Sequence, residues 1–275
     1  MTEIPGVAEI ADRFKRLRER VSAAESASGR TPGSVQVELA AKYQAPERVL
    51  AALNGGATLL GHNIVQQLEA SEVALAEARA PTHRTHVIGH VQKNKAAKAL
   101  RYSQCIETVD SYKLAERLNR LHAERIAGEQ PLGAVAGVAP EGIVLDADKP
   151  TGLSNNMLGQ ATGPFDIMIQ VNSSGADSQY GRDPEAVMDL AGRIGELPYL
   201  RIVGLMTIGT HTDDVAEIAR SFQVVRELRE KLISAGVTSA TELSMGMTHD
   251  MEIAIAEGST IIRVGTAVFG PRPRV

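Results

Sequence analysis

The sequence predicts an α/β fold, a (β/α)8 TIM barrel with an extra N-terminal helix. Three observations predict it. Eight short apolar runs alternate with helix-like segments; the 275 residues lie close to the roughly 250 typical of such barrels; and the apolar content is aliphatic, with aromatics at 3% and no Trp. A doubly wound parallel sheet is the alternative that the same alternation allows. At 43% hydrophobic and 23% charged, the chain is a folded globule and not a disordered or fibrous one.

The elements follow in order. Ile4, Val7, Ile10, Phe14, Leu17 and Val21 recur every three or four residues between charges, so residues 1–28 read as an amphipathic helix. Residues 35–42 alternate in the strand manner, and Pro46 then opens an Ala/Leu-rich helix that stops at Asn54-Gly55-Gly56. The same unit returns as strand 57–60 before helix 64–79, strand 85–89 before helix 93–101, and strand 105–109 before helix 111–127. It resumes with strand 165–171 and helix 184–196, strand 200–208 and helix 213–235, strand 241–243 and helix 250–257, and strand 260–264 before a short tail, 266–275. Between the two halves, residues 128–164 hold seven Gly and four Pro and read as an irregular insertion loop within a single domain spanning 1–275. A loop that joins a helix to the next strand emerges opposite the usual active face of a barrel, which makes this one a tolerated insertion.

Charge and cysteine content narrow the functional classes. A net charge of -4, from 29 basic and 33 acidic side chains, gives no cationic field for a phosphate backbone, and the scarcity of aromatics removes a base-stacking surface, so no nucleic acid is expected. Cys105 is the single cysteine and has no partner for an intramolecular disulfide, which fits a reducing, cytoplasmic setting. The first residues lack the pattern of a signal peptide, and no run of 18 apolar residues occurs, so no membrane span is expected.

In a barrel, reactive groups sit where strands end. Those positions are Lys42, His62-Asn63, His90, Asp110, Asn172, Met206-Thr207, Ser244-Met245-Gly246-Met247 and Arg263-Val264-Gly265-Thr266. Lys42 follows an apolar-leaning strand; desolvation at the barrel mouth lowers a lysine pKa toward a nucleophilic amine suited to a Schiff base, whereas an ordinary solvated strand exit is the other reading. The loops after strands seven and eight of such barrels often bind phosphate, and here they read Ser244-Met245-Gly246 and Gly265-Thr266. Ordinary turn chemistry accounts for either loop alone. A reactive amine facing a phosphate cup is what pyridoxal 5'-phosphate (PLP) needs.

At this point the residues resemble a known family, the pyridoxal phosphate homeostasis proteins (YggS/PLPBP), related in fold to the N-terminal barrel of alanine racemase. The resemblance rests on Ala41-Lys42, Leu60-Gly61-His62-Asn63 with Gln66, the stretch from His86 to Lys95, Thr108-Val109-Asp110-Ser111, Gly204-Leu205-Met206-Thr207, Leu243 to Met247 with Asp250-Met251, and Gly258 through Arg263-Val264-Gly265-Thr266 to Gly270. It covers nearly everything outside 128–164. The resemblance implies that Lys42 holds PLP as an internal aldimine, that Asn63 sits near the ring and that Arg263 faces the pyridine nitrogen. It also implies that Ser244, Gly265 and Thr266 bind the phosphate and that Met245 lines the pocket. An arginine at the pyridine nitrogen disfavours its protonation and leaves the ring a weak electron sink.

The implied function is intracellular PLP homeostasis without appreciable turnover, with PLP-dependent acceptor enzymes as partners and a monomeric state. Three positions depart from the family pattern: His62, Thr248-His249 and Ala40-Ala41 before the lysine. Protonated, His62 and His249 would add positive charge at the mouth. An amino acid racemase is the alternative, but it needs a second base opposite Lys42. In the family's racemases that base is a tyrosine from a separate C-terminal domain, which is not expected here, and Tyr43 should point to the other side of its strand. A barrel kept only as an interaction scaffold would bind no cofactor. The seven histidines show no carboxylate or cysteine at ligand spacing, so no metal is expected. The basic run of Lys93, Lys95, Lys98 and Arg101 reads as a solvated face.

Overall fold

Short aliphatic runs cannot bury both faces unless they pair side by side and are covered by helices. In the computed structural model, which describes residues 5–128, 163–176 and 179–271, they do so as a closed barrel. Its strands are β1 (Gln36–Ala40), β2 (Leu59–His62), β3 (Arg84–Val87), β4 (Cys105–Val109), β5 (Phe165–Gln170), β6 (Leu200–Met206), β7 (Glu242–Ser244) and β8 (Ile261–Val264). All neighbours are parallel and in chain order, and β1 pairs with β8 through Val37 opposite Ile262 and Leu39 opposite Val264. Closure excludes the doubly wound alternative.

The helices among the described residues are α1 (Val7–Ala27), α2 (Pro46–Asn54), α3 (Val65–Glu77), α4 (Ala96–Tyr102), α5 (Tyr112–Ala127), α6 (Val187–Gly195), α7 (Val215–Ser234), α8 (Met251–Ala256) and α9 (Thr266–Phe269). None is long and apolar enough to cross a membrane. The extra helix α1 buries Ile10, Phe14, Leu17 and Val21 against Val49 and Leu53 of α2, Met251 and Ile255 of α8, and Val268 and Phe269 of α9. Close approach at that seam is possible because Gly55 lacks a side chain: a Cβ there would lie 2.9 Å from Ala11 Cα. The buried Glu25 carboxylate then receives the main-chain N–H groups of Gly33 and Val35, at 2.8 and 2.6 Å, and fixes the entry into β1.

Several boundaries differ from the sequence reading by a few residues, and three of the differences bear on the rim. β1 ends at Ala40 because the chain turns at Lys42-Tyr43. The helix expected from residue 93 begins as a 3-10 turn, Lys93–Lys95, whose Asn and Lys side chains bury nothing. The expected tail instead starts with α9, a short helix closed by Gly270 at φ 78°. Of the expected insertion at 128–164, residues 129–162 lie outside the described residues; Gly128 caps α5 in the left-handed conformation, φ 70°.

Strand alternation sends one set of side chains outward to the helices and the other into the barrel. The inner set forms two tiers. Leu59, Cys105, Met168, Met206 and Ile261 form a small apolar cluster. Glu38, His86, Glu107, Ser244 and Arg263 form a buried polar one.

Candidate functional site

Lys42 stands two residues past β1, Asn63 directly after β2, Met245-Gly246 after β7 and Gly265-Thr266 after β8. Because β7, β8, β1 and β2 are neighbours in a parallel barrel, these four loops share one arc of the C-terminal rim. The sequence-predicted residues are thus assembled from the two ends of the chain.

The Lys42 turn is held under strain. Ala41 N donates to Gly61 O at 2.9 Å and Gln44 N to Ala41 O at 3.1 Å. Between them Tyr43 adopts φ 60°, a left-handed conformation that costs a non-glycine residue about 1–3 kcal/mol. Its N–H is received by Gln67 Oε1 of α3 at 3.2 Å. Lys42 is half-buried, and Tyr43, exposed and in the turn, is not on the strand at all. The sequence expectation for Tyr43 is corrected accordingly: it is the turn, and not strand alternation, that sets its direction.

One loop over, Asn63 presents a buried Oδ1 with no hydrogen-bond partner. Its main chain is crossed by Gly89, where a Cβ would lie 2.0 Å from Asn63 O. On the other side, Gly246 has φ 91° and leaves no room for a side chain, since a Cβ would lie 2.4 Å from Ala254 Cβ. The Met247–Asp250 loop is closed by Met247 N donating to Asp250 Oδ1 at 2.5 Å, and burial raises the Asp250 carboxyl above its ordinary pKa. Thr266 opens α9, and its hydroxyl lies 3.3 Å from that of Thr248. A Cβ on Gly265 would fill the space beside Ala40, 3.4 Å from its Cβ. Within that turn Val268 N and Phe269 N donate to Gly265 O, at 3.1 and 2.8 Å.

Below the rim the interior is one hydrogen-bonded chain. Arg263 donates from Nη2 to Thr207 O at 2.6 Å and from Nη1 to Ser244 Oγ at 2.8 Å. Ser244 donates to Glu107 Oε2 at 2.5 Å, and His86 Nδ1 approaches Glu107 Oε1 at 2.7 Å. Glu38 lies 3.4 Å from the same His86 nitrogen, fully buried, with neither carboxyl oxygen hydrogen-bonded. Burial, then Glu107, pushes the Glu38 pKa well up; against burial, His86, Arg263 and Ser244 hold that of Glu107 down.

Two sequence-predicted residues sit differently from their expected surroundings. The Ser244 hydroxyl turns inward to Glu107 and Arg263. Met245 is fully buried in the apolar layer outside the barrel. Glu38, Glu107 and Thr207's carbonyl were not singled out by sequence reasoning. The signal for Glu38 was present: residues 38, 40 and 42 share a strand face, so a carboxylate stands two positions below the positions leading to Lys42. No comparable cue links Glu107 to Ser244, which are 137 residues apart.

Of the seven histidines, His62, His83, His86 and His122 are buried. His62 faces outward toward Glu72 and His83, and burial lowers its pKa to about 4, so it adds no charge at the mouth. His86 gathers two carboxylates that no sequence spacing revealed; ligand atoms of Glu38, His86 and Glu107 all lie within 4.8 Å of one another. Arg263 already supplies the cation there. The basic Lys93-Asn94 segment lines a 430 Å³ cavity with His90, Asp110 and Ser111.

Comparison with known proteins shows the family and the fold. The sequence profile of the alanine racemase N-terminal domain matches residues 9–273. The pyridoxal phosphate homeostasis protein of Vibrio alginolyticus is 31% identical over 268 residues, covering 97% of this chain and 99% of that one. A crystal structure of an unknown protein from Bifidobacterium adolescentis is 34% identical, with a TM-score of 0.78 over 96% of this chain and 95% of that one. PipY of Synechococcus elongatus, solved with PLP bound, is 28% identical, with a TM-score of 0.71 over 95% of this chain and 100% of that one.

Proposed function

The chain belongs to the alanine racemase N-terminal domain family, and from that premise we propose that it is a PLP-binding protein of cofactor homeostasis. It holds PLP covalently through Lys42 without appreciable turnover. The observation that carries this reading is the convergence of Lys42, Asn63 and the Gly265-Thr266 loop on one arc of the rim, with Arg263 in the barrel interior beneath it and Asn63 Oδ1 buried and unpaired. Relatives about 30% identical over almost the whole chain are pyridoxal phosphate homeostasis proteins, which supports the same reading.

The residues present fit the group. Lys42 supplies an amine at the mouth for its aldehyde, and Asn63 an unused acceptor one strand over. Gly265, Thr266 and the main chain at Met245-Gly246 form a cup that would hold the phosphate. Ser244 contributes by holding the Arg263 guanidinium, which would face the pyridine nitrogen. When bound, PLP supplies an electrophilic aldehyde joined to an electron-withdrawing ring. The fixed positive charge of Arg263 keeps that ring nitrogen unprotonated, which supports storage over carbanion chemistry. Acceptor enzymes for PLP are the partners, the chain acts as a monomer, and the buried lone Cys105 suits a cytoplasmic setting.

Titration of the purified chain with PLP followed by dialysis tests this. Wild type is expected to keep a visible absorption band, and Lys42→Ala to lose it with unchanged circular dichroism. Arg263→Ala and Thr266→Ala are expected to weaken retention and keep the covalent link. Alanine racemisation above the Lys42→Ala background would overturn the absence of turnover.

A further inference from the structure

A carboxylate rich in donors and a carboxylate without any stand side by side inside the barrel. Glu107 receives His86 at 2.7 Å and Ser244 at 2.5 Å, and Ser244 in turn receives Arg263 at 2.8 Å. Hydrogen bonds donated to a carboxylate favour its charged form. Glu38, 0% exposed, receives no hydrogen bond from an N–H or hydroxyl group, its neighbours being His86 Nδ1 at 3.4 Å and the Glu107 carboxylate, and an ionised carboxylate buried without donors is strongly disfavoured. The charged or titratable groups around this pair are Arg84 and His86 of β3, Arg263 of β8 and, beyond Glu107, Cys105 of β4 and Asp166 of β5.

We propose that Glu38, His86 and Glu107 form a proton-sharing unit that positions Ser244 and Arg263 under the cofactor ring, with Glu107 ionised and Glu38 carrying a proton. The assignment rests on the PLP reading above. Glu107 is the anchor. Its negative charge orients the Ser244 hydroxyl, which then offers its lone pair to Arg263 and, together with Thr207 O, fixes the guanidinium. Glu38 fills the remaining space as a neutral acid, so that one carboxylate balances Arg263 in the closed interior. These are positioning residues: none reaches the rim where Lys42 stands.

The two carboxyls therefore differ in how they tolerate the same isosteric change. Glu107→Gln removes the charge that Ser244 and His86 address and is expected to weaken PLP retention at least about tenfold, the cost of leaving charged or polar buried partners unmatched. It is also expected to displace the absorption maximum of the bound cofactor and its pH dependence. Glu38→Gln mimics the protonated acid and is expected to stay within twofold of wild type in both readouts. Unchanged retention and spectrum in Glu107→Gln, or an equal loss in Glu38→Gln, would overturn the assignment. Infrared spectroscopy of the apo chain at neutral pH serves where Glu107→Gln does not fold: wild type is expected to show the carbonyl band of a protonated carboxylic acid that Glu38→Gln lacks, and its absence from wild type would also overturn it. If wild type forms no Lys42 adduct with PLP, the cofactor reading fails, and the infrared result alone judges the proton-sharing unit.

Discussion

Single side chains decide how the rim is built and how it responds to pH. Gly89 passes so close to Asn63 that Gly89→Ala, with its Cβ 2.0 Å from Asn63 O, is expected to lose about 1–3 kcal/mol and to displace Asn63; a denaturant midpoint equal to wild type would contradict the contact. His62 makes a second, signed prediction. Burial holds its pKa at about 4, below the 6.5 of the unfolded chain, so the unfolded state takes the proton first as pH falls. Its contribution is present above 6.5 and is lost between 6.5 and about 4, an amount on the order of 3 kcal/mol. His62→Leu is expected to remove that part of the acid destabilisation, measured as the change in unfolding free energy between pH 7 and pH 4. His83 works with the opposite sign: burial acts against it, but Glu72 raises its pKa, so its contribution is lost as pH rises through the folded value.

Among elements, α1 was legible from its apolar spacing, and its helical face is the one found buried: Ile10, Phe14, Leu17 and Val21. Phe14→Ala is expected to cost about 3–5 kcal/mol because it opens a cavity between α1, α2 and α9; a loss below about 1 kcal/mol would show that α1 is loosely docked. Strands were legible for the same reason, as aliphatic runs closed by Gly or polar residues. Their ends were not, because tertiary turns override the local pattern. The Tyr43 turn shortens β1 by two residues, and Gly265 with Gly270 brackets a helix where a tail was expected. The rim residues Lys42, Asn63, Gly265 and Thr266 stood out because they follow strand ends, and Arg263 because it lies one residue before the end of β8. Glu107, Thr207 O and the inward Ser244 hydroxyl did not, since only barrel closure brings β4, β6, β7 and β8 face to face.

For the molecule as a whole, closure of a parallel barrel turns distant sequence into one rim, and a polar tier beneath it connects Arg263 to His86 across the interior. Exposed large apolar side chains lie on separate helices, Val73 on α3, Ile126 on α5, Val215 and Ile233 at opposite ends of α7, and also on the loops after strands, Tyr43, Tyr180, Ile208 and Met247; we propose a single-chain state. Sedimentation is expected to give one monomeric species, and a stable dimer would contradict it. The central claim is the identity of the lysine that holds the cofactor. Borohydride reduction of the chain saturated with PLP, followed by peptide mass mapping, is expected to place the fixed pyridoxyl group on the Lys42 peptide. A group fixed elsewhere, as on Lys93 or Lys95, or on no peptide at all, would contradict it.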